Sequence, residues 1–234
     1  MLLAKLREEV LAANLELVRK GLVRSTFGNV SGISREQGLV VIKPSGVPYD
    51  AMKPQDMVVT DLQGTVVEGS LRASSDLPTH VRLYQAFAAI GGVAHTHSEF
   101  ATAWAQARKP IPCFGTTHAD HFHGPIPVTT DLTRKEIQGS YEANTGEAIV
   151  RAFKKIDPVA VPAVLVAHHA PFTWGVNALA AVEASWMLET VARMAYYTRC
   201  VHPQARPVGK NLLDRHYLRK HGKNAYYGQE KTKA

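Results

Sequence analysis

Apolar positions at the start of the chain recur with a helical period. Leu3, Leu6, Val10, Ala13 and Leu17 share one face and Gly21 follows as a stop, which predicts an opening amphipathic helix. From Gly38 the pattern changes to short apolar runs. Leu39–Ile42 reads as a strand broken by Pro44-Ser45-Gly46, and Met57–Thr60 with Thr65–Glu68 reads as a strand pair turning at Gly64. Ser74-Ser75-Asp76 offers caps for a helix to about Ala89. An apolar run then ends in His95 and His97, and Ser98 can cap a helix from Glu99 to about Ala107. Residues 110–132, rich in Pro, Gly, Thr and His, predict loops and short strands with exposed polar side chains. There follow a helix over Gly139–Lys155, a strand into His169, a strand at Phe172–Gly175 and a long helix from Ala178 to about Arg199. Val182, Trp186, Leu188 and Val191 supply much of that helix's apolar surface. Pro203 and Pro207 mark a linker before a last segment, Asn211–Tyr227.

Helices and strands alternate, yet several strand-to-strand steps are too short for a parallel crossover. The expectation is one α/β domain, without internal repeats, whose sheet is at least partly antiparallel. A chain of 234 residues is long enough for a sizeable single core, and 45% hydrophobic with 20% charged residues is a soluble globular composition. Cys113 and Cys200 form no CxxC pair and read as free thiols in a reducing compartment. Lys5, Arg7, Glu8 and Glu9 interrupt any signal-peptide layout, and no run approaches the ~20 apolar residues of a membrane span. A cytoplasmic location with no membrane partner is expected. Of the net charge of +7, residues 201–234 carry +6. A basic tail without a recognition motif argues against a nucleic-acid partner, leaving a solvated tail or one that steers a small anionic substrate.

The chemistry concentrates in histidines. In Gly91-Gly92-Val93-Ala94-His95-Thr96-His97-Ser98 the two imidazoles stand at i and i+2 of a strand end, so both face one spot. Val164-Leu165-Val166-Ala167-His168-His169 reads as a second apolar strand ending in histidine. Asp76 sits at an expected helix start. Three imidazoles with a carboxylate or an open position suit zinc or a similar divalent ion, whereas His-x-His alone is also an ordinary polar strand end.

Several motifs in order resemble those of the class II aldolase/epimerase family: Thr26-Phe27-Gly28-Asn29-Val30-Ser31, Val41-Ile42-Lys43-Pro44-Ser45-Gly46, Ser74-Ser75-Asp76-Leu77-Pro78-Thr79-His80, His95-Thr96-His97-Ser98 and Gly115-Thr116-Thr117-His118-Ala119-Asp120. The closing Arg219-Lys220-His221-Gly222 and Ala225-Tyr226-Tyr227-Gly228 extend the resemblance to about residue 229. Asp76 and the Tyr-Tyr-Gly ending favour the epimerase branch over the aldolase branch. The resemblance implies a three-layer αβα domain over residues 1–229 with a mixed, largely antiparallel sheet, followed by a basic extension at 230–234. It also implies a homotetramer with shared active sites, and a divalent metal (Zn2+ first, Mn2+ or Co2+ as alternatives). The implied activity interconverts L-ribulose 5-phosphate and D-xylulose 5-phosphate in arabinose-type pentose catabolism. A sugar-phosphate aldolase is the alternative. A non-catalytic protein on the same fold would be expected to have lost the metal histidines, and all three are present.

Inverting C4, which is not adjacent to the carbonyl, requires cleaving C3–C4 in a retro-aldol step, turning the aldehyde and re-forming the bond. That path needs a Lewis acid, a phosphate pocket and proton donors on both aldehyde faces. The resemblance implies His95, His97 and His169 as metal ligands, with Asp76 a fourth or intermittent one. Strand alternation places His168 and His169 on opposite faces, and His169, which precedes x-Pro-Phe, is preferred. Phosphate would lie on Gly28, Asn29, Lys43, Ser45, Gly46, Ser74 and Ser75, where small residues and a helix start expose N–H groups. Asp120 and Tyr227 are implied for proton transfer, each needing its pKa tuned for work near neutrality. Thr116, Glu142 and His216 match supporting positions. Phe27 stands where Trp is common, Ala170 replaces a Gly, and His121 and His123 form a second His-x-His pair where relatives carry tyrosines.

Overall fold

The computed structural model describes residues 1–227. Helix α1 (Ala4–Arg19) leads into β1 (Asn29–Ser34), β2 (Leu39–Ile42), two single 3-10 turns, β3 (Val58–Asp61) and β4 (Val66–Glu68). Next come α2 (Leu77–Ala86), β5 (Gly92–His95), α3 (Glu99–Gln106), α4 (Thr116–Ala119), α5 (Arg134–Gln138) and α6 (Tyr141–Ala152). The chain continues through β6 (Ala163–Leu165), β7 (Pro171–Gly175), α7 (Ala178–Val201) and α8 (Lys210–His221). One sheet runs in the order β4-β3-β2-β1-β5-β7-β6. Every pairing between these strands is antiparallel, and among the described residues parallel geometry is confined to the isolated bridge Val128–Leu165. The sheet is thus more uniform than the mixed one expected.

Strand alternation divides the core into two layers. Val40, Ile42, Val58 and Val93 join Leu83 and Tyr84 of α2 and Ile149 of α6 on one face. Val30, Val41, Val59 and Ala94 join Val10, Ala13 and Leu17 of α1 and Ala181 and Val182 of α7 on the other. This is the expected αβα arrangement. Gly92 lets the start of α7 lie directly on β5: a Cβ there would meet the backbone of Asn177 and Ala178 at 2.4 Å. That close contact anchors the strand which delivers His95.

Strand β1, a central strand, carries no strand pattern in the sequence. Its apolar Val30 and Ile33 are split by Ser31-Gly32, so it shows neither a β-branched run nor clean alternation, although it is buried on both faces. Capping also differs from expectation. Ser74 Oγ accepts from the N–H of Asp76 at 3.3 Å, and Asp76 precedes α2 without a side-chain cap bond. At α3 the N–H groups of Phe100 and Ala101 donate to Glu189 of α7, not to Ser98. Thr133 makes a capping box with Glu136 and starts α5, a helix not anticipated ahead of α6. Helix α2 stops at Ala86, and α8 stops at His221, after which the chain turns back so that the N–H groups of Tyr226 and Tyr227 donate to the Arg219 carbonyl. The segment 110–132 is less exposed than expected: His118 and Asp120 are both buried.

Candidate active site

Strand pairing assembles the centre. Asn29 of β1 lies opposite His95 of β5, which lies opposite Phe172 of β7. Gly28 enters β1 at φ +79, and a Cβ there would meet Val23 Cγ1 at 2.6 Å and the His95 carbonyl at 3.0 Å. Only glycine lets the chain reach Asn29 by this route. His95 is almost fully buried, and its Nδ1 donates to the Pro171 carbonyl at 2.9 Å. Its Nε2 lies 3.1 Å from Nε2 of His97. Strand β5 ends at His95, so His97 sits in the connection to α3 and not in the strand as expected.

His169 completes the group from a different setting than a strand end. It belongs to the tight turn between β6 and β7, in which His168 takes a left-handed φ of 61. The turn, not strand alternation, sends the two rings apart: His168 is exposed and reaches Asp131 at 3.7 Å, while His169 faces His95. One ligand nitrogen from each of His95, His97 and His169 lies within 4.8 Å of the others. Burial lowers the pKa of all three rings. Neutral imidazoles converging on one point, one of them fixed by a backbone carbonyl, fit a divalent transition ion.

Asp76 borders the same cleft but is not one of that close trio. Its carboxylate accepts from Asn29 Nδ2 at 2.6 Å. Burial pushes its pKa up, but the facing His95 and His80 and the Asn29 bond outweigh this and hold it below the usual carboxylate range. Beneath it, His80 Nδ1, Ser31 Oγ and Tyr84 Oη form a buried chain of 2.7 and 2.8 Å contacts. Burial lowers His80 to about 4, so this ring is neutral too.

The cleft encloses about 400 Å3 and is lined by Gly28, Asn29, Lys43, Ser45, Gly46, Ser74, Ser75, Asp76 and the three histidines. Two loops form its far wall, joined where Ser74 N–H donates to the Lys43 carbonyl at 3.0 Å and Ser45 N–H to that of Arg72 at 2.9 Å. Lys43 is buried, with Nζ donating to the Pro44 and Val47 carbonyls at 3.2 Å each. Burial lowers its pKa. Glu142 lines the cleft, as does Tyr141, which the sequence reading missed although it adjoins Glu142 at the Gly139-Ser140 helix start. A larger cleft of about 670 Å3, lined by Phe114, Met194 and Tyr197 among others, lies elsewhere and does not include the three histidines.

Thr116, Asp120, His216 and Tyr227 do not line the histidine cleft; they form a second cluster where α4 meets α8. The N–H of Asp120 donates to the Thr116 carbonyl at 2.8 Å. The Asp120 carboxylate takes His216 Nδ1 at 3.0 Å and Arg219 at 2.7 Å. Tyr227, 58% exposed, rests its ring against Arg219 and Lys220. His121 and His123 join no metal-ligating trio among the described residues; His123 instead pairs with Asp214 at 2.8 Å. Residues 228 and 229 and the basic extension lie outside the described residues.

Residues 8–196 match the Class II Aldolase and Adducin N-terminal domain, and the chain belongs to that family. Over 226 residues it is 53% identical to the L-ribulose-5-phosphate 4-epimerase UlaF of Salmonella paratyphi B (strain ATCC BAA-1250 / SPB7), covering 97% of this chain and 99% of that one. It shows the same 53% identity to the L-ribulose-5-phosphate 4-epimerase UlaF of Salmonella typhi. Among solved structures, an L-fuculose 1-phosphate aldolase superposes with a TM-score of 0.77 at 26% identity, covering 91% of this chain and 94% of that chain.

Proposed function

We propose that this chain interconverts L-ribulose 5-phosphate and D-xylulose 5-phosphate. The observation that carries the reading is 53% identity across 97% of the chain to enzymes named for that reaction. The cleft supports it, because it sets a trio of neutral imidazoles beside a wall of small polar residues and a lysine. Zn2+, with Mn2+ or Co2+ as alternatives, would be held by His95, His97 and His169, with Asp76 as a fourth or intermittent ligand. Such an ion supplies Lewis-acid stabilisation of the charge that develops on the ketose oxygens. Gly28, Asn29, Ser45, Gly46, Ser74 and Ser75 would bind the phosphate through N–H and side-chain donors, and Lys43 adds a positive charge.

Asp120 and Tyr227 would hold and move the protons on opposite faces of the cleaved aldehyde, with Thr116, Glu142 and His216 supporting them. Neither residue lines its own chain's cleft, so the reading places them on the cleft of a neighbouring copy in a homotetramer. Trp186, Met194, Tyr197 and Val201 leave exposed apolar surface on α7 for such self-association. No helix among the described residues is long and apolar enough to cross a membrane. A cytoplasmic enzyme with one domain over residues 1–229 is the corresponding proposal.

The structural likeness to L-fuculose 1-phosphate aldolase favours one second reading, a sugar-phosphate aldolase whose cleavage products leave. A coupled assay on metal-replete protein given L-ribulose 5-phosphate separates the two. Formation of D-xylulose 5-phosphate supports the epimerase; release of glycolaldehyde phosphate and dihydroxyacetone as the main products supports the aldolase.

A further inference from the structure

One face of α8 closes on Asp120. His216, Arg219 and Lys220 stand at the three- and four-residue spacings that bring side chains together on a helix. Arg219 Nε donates to Asp120 Oδ1 at 3.0 Å and Nη2 to Oδ2 at 2.7 Å, the two-bond fork that fixes a carboxylate in plane. The same arginine holds Tyr227. Its carbonyl accepts the N–H groups of Tyr226 and Tyr227 at 3.0 and 3.1 Å, and its guanidinium carbon lies 4.7 Å from the Tyr227 ring centre. Lys220 Nζ also approaches both, at 3.9 Å from Asp120 Oδ2 and 4.5 Å from the Tyr227 ring, but as a point charge without the fork.

Building on the proton-transfer roles proposed above, we infer that Arg219 is a positioning residue of the reaction, tying Asp120 and Tyr227 into a single unit. A retro-aldol epimerisation needs two proton-transfer groups at a fixed separation, one for each face of a small aldehyde. Tyr227 is exposed beyond the end of α8, and besides the point charge of Lys220 its link to Asp120 runs through Arg219. Arg219 supplies that link through its fork on one side and its backbone and guanidinium face on the other. The pair thereby moves with α8 as one body when the neighbouring cleft receives it.

Arg219 also sets the charge on Asp120. Burial pushes the carboxyl up, but the Arg219 and His216 bonds and the Lys220 charge more than offset this and keep it below the ordinary carboxylate range. The charged groups facing it are His216, Arg219 and Lys220, with His221 on its backbone carbonyl at 2.9 Å and His121 adjacent in the chain. Losing the guanidinium therefore raises the pH at which Asp120 takes up a proton.

The test compares Arg219→Met, Arg219→Gln and Arg219→Lys in the full-length, metal-replete protein, with kcat and KM for L-ribulose 5-phosphate followed across pH. Arg219→Met should lower kcat by about 10- to 100-fold, the scale of misplaced catalytic groups, with little change in KM or bound metal. The acidic limb of its kcat profile should move to higher pH. Arg219→Lys should return the limb toward its original place while recovering only part of the rate. If Arg219→Met does not fold, as read by circular dichroism, the Gln and Lys variants decide. Wild-type kcat with an unmoved acidic limb overturns the inference, as does a loss confined to KM or to thermal stability. Asp120→Asn and Tyr227→Phe are measured alongside. If both turn over normally, the proton assignment itself fails and Arg219 has nothing to position; if both are impaired while the Arg219 variants are not, the Arg219 inference alone fails.

Discussion

His95 donates from Nδ1 to the Pro171 carbonyl across 2.9 Å, and this contact decides which nitrogen of the ring faces the cleft. A carbonyl oxygen can only accept, so Nδ1 carries the hydrogen and Nε2 of the neutral ring presents a lone pair. That lone pair lies 3.1 Å from His97 Nε2, with His169 alongside. Imidazoles held neutral by burial and converging this closely are arranged for a shared cation.

Replacing His97 should therefore remove metal and turnover together. His97→Asn is expected to lose most of its bound divalent ion and its activity while keeping the far-ultraviolet circular dichroism of the parent. His168→Asn, altering the exposed neighbour that points at Asp131, should keep its metal. Elemental analysis of the two purified variants checks both statements, and full metal content in His97→Asn would refute the ligand assignment.

Lys43 commits two of its three donors to the Pro44 and Val47 carbonyls, which leaves one for an anion in the cleft. Lys43→Met removes one charge-assisted bond, worth roughly 10- to 100-fold in affinity. The rise in KM should be far smaller for the dephosphorylated ketose. Equal losses for the two substrates would show that Lys43 does not serve the phosphate.

Stability should depend on pH through two buried imidazoles. Burial lowers His80 and His118 to about 4 from the ordinary imidazole value of 6.5. Between those values the unfolded chain binds more protons than the folded one. The share of stability that these two rings contribute is therefore undiminished above pH 6.5 and falls as pH drops toward 4. His95, lowered to about 3, with the depressed carboxyls of Asp76 and Asp120, extends the fall below that. Each group contributes at most about 1.4 kcal/mol per pH unit in that window. Urea unfolding of chelator-treated protein at a series of pH values should show this decline. His118→Gln should flatten it, and an unchanged slope would argue against His118 as a source.

An active site assembled across subunits predicts complementation. Tyr227→Phe and His97→Asn proteins, each inactive, should regain part of the activity after subunit exchange, because some interfaces then pair an intact cleft with an intact Tyr227. Mass spectrometry verifies the exchange. No recovery in exchanged oligomers would mean that each chain supplies its own proton donor, or that Tyr227 is not one.

Much of this arrangement was legible in the residues, for reasons of differing strength. His95 and His97 announce themselves by spacing, and their meeting survives although the strand ends between them. His169, preferred for its place before x-Pro-Phe, is the one that faces His95 and His97, yet the expectation that strand alternation parts it from His168 does not apply, because a left-handed residue in a turn separates the rings. Strand β1 was illegible because a fully buried central strand needs no alternation, and Ser31 is there to bond His80 and Tyr84, not to face solvent. Glu189 capping α3 from another helix, and Arg219 bridging Asp120 to Tyr227, are tertiary relations that local pattern does not encode. The motifs of the family resemblance contain the cleft residues and the Asp120 cluster together, and it is the fold that separates the two.

Cleavage and re-formation of C3–C4 without loss of the fragments is tested by 13C NMR of metal-replete protein with L-ribulose 5-phosphate in deuterium oxide. The expected result is an equilibrium mixture with D-xylulose 5-phosphate, no deuterium at C4 and no accumulating glycolaldehyde phosphate. Deuterium at C4 of the product, or steady release of the aldehyde in place of the epimer, would contradict it.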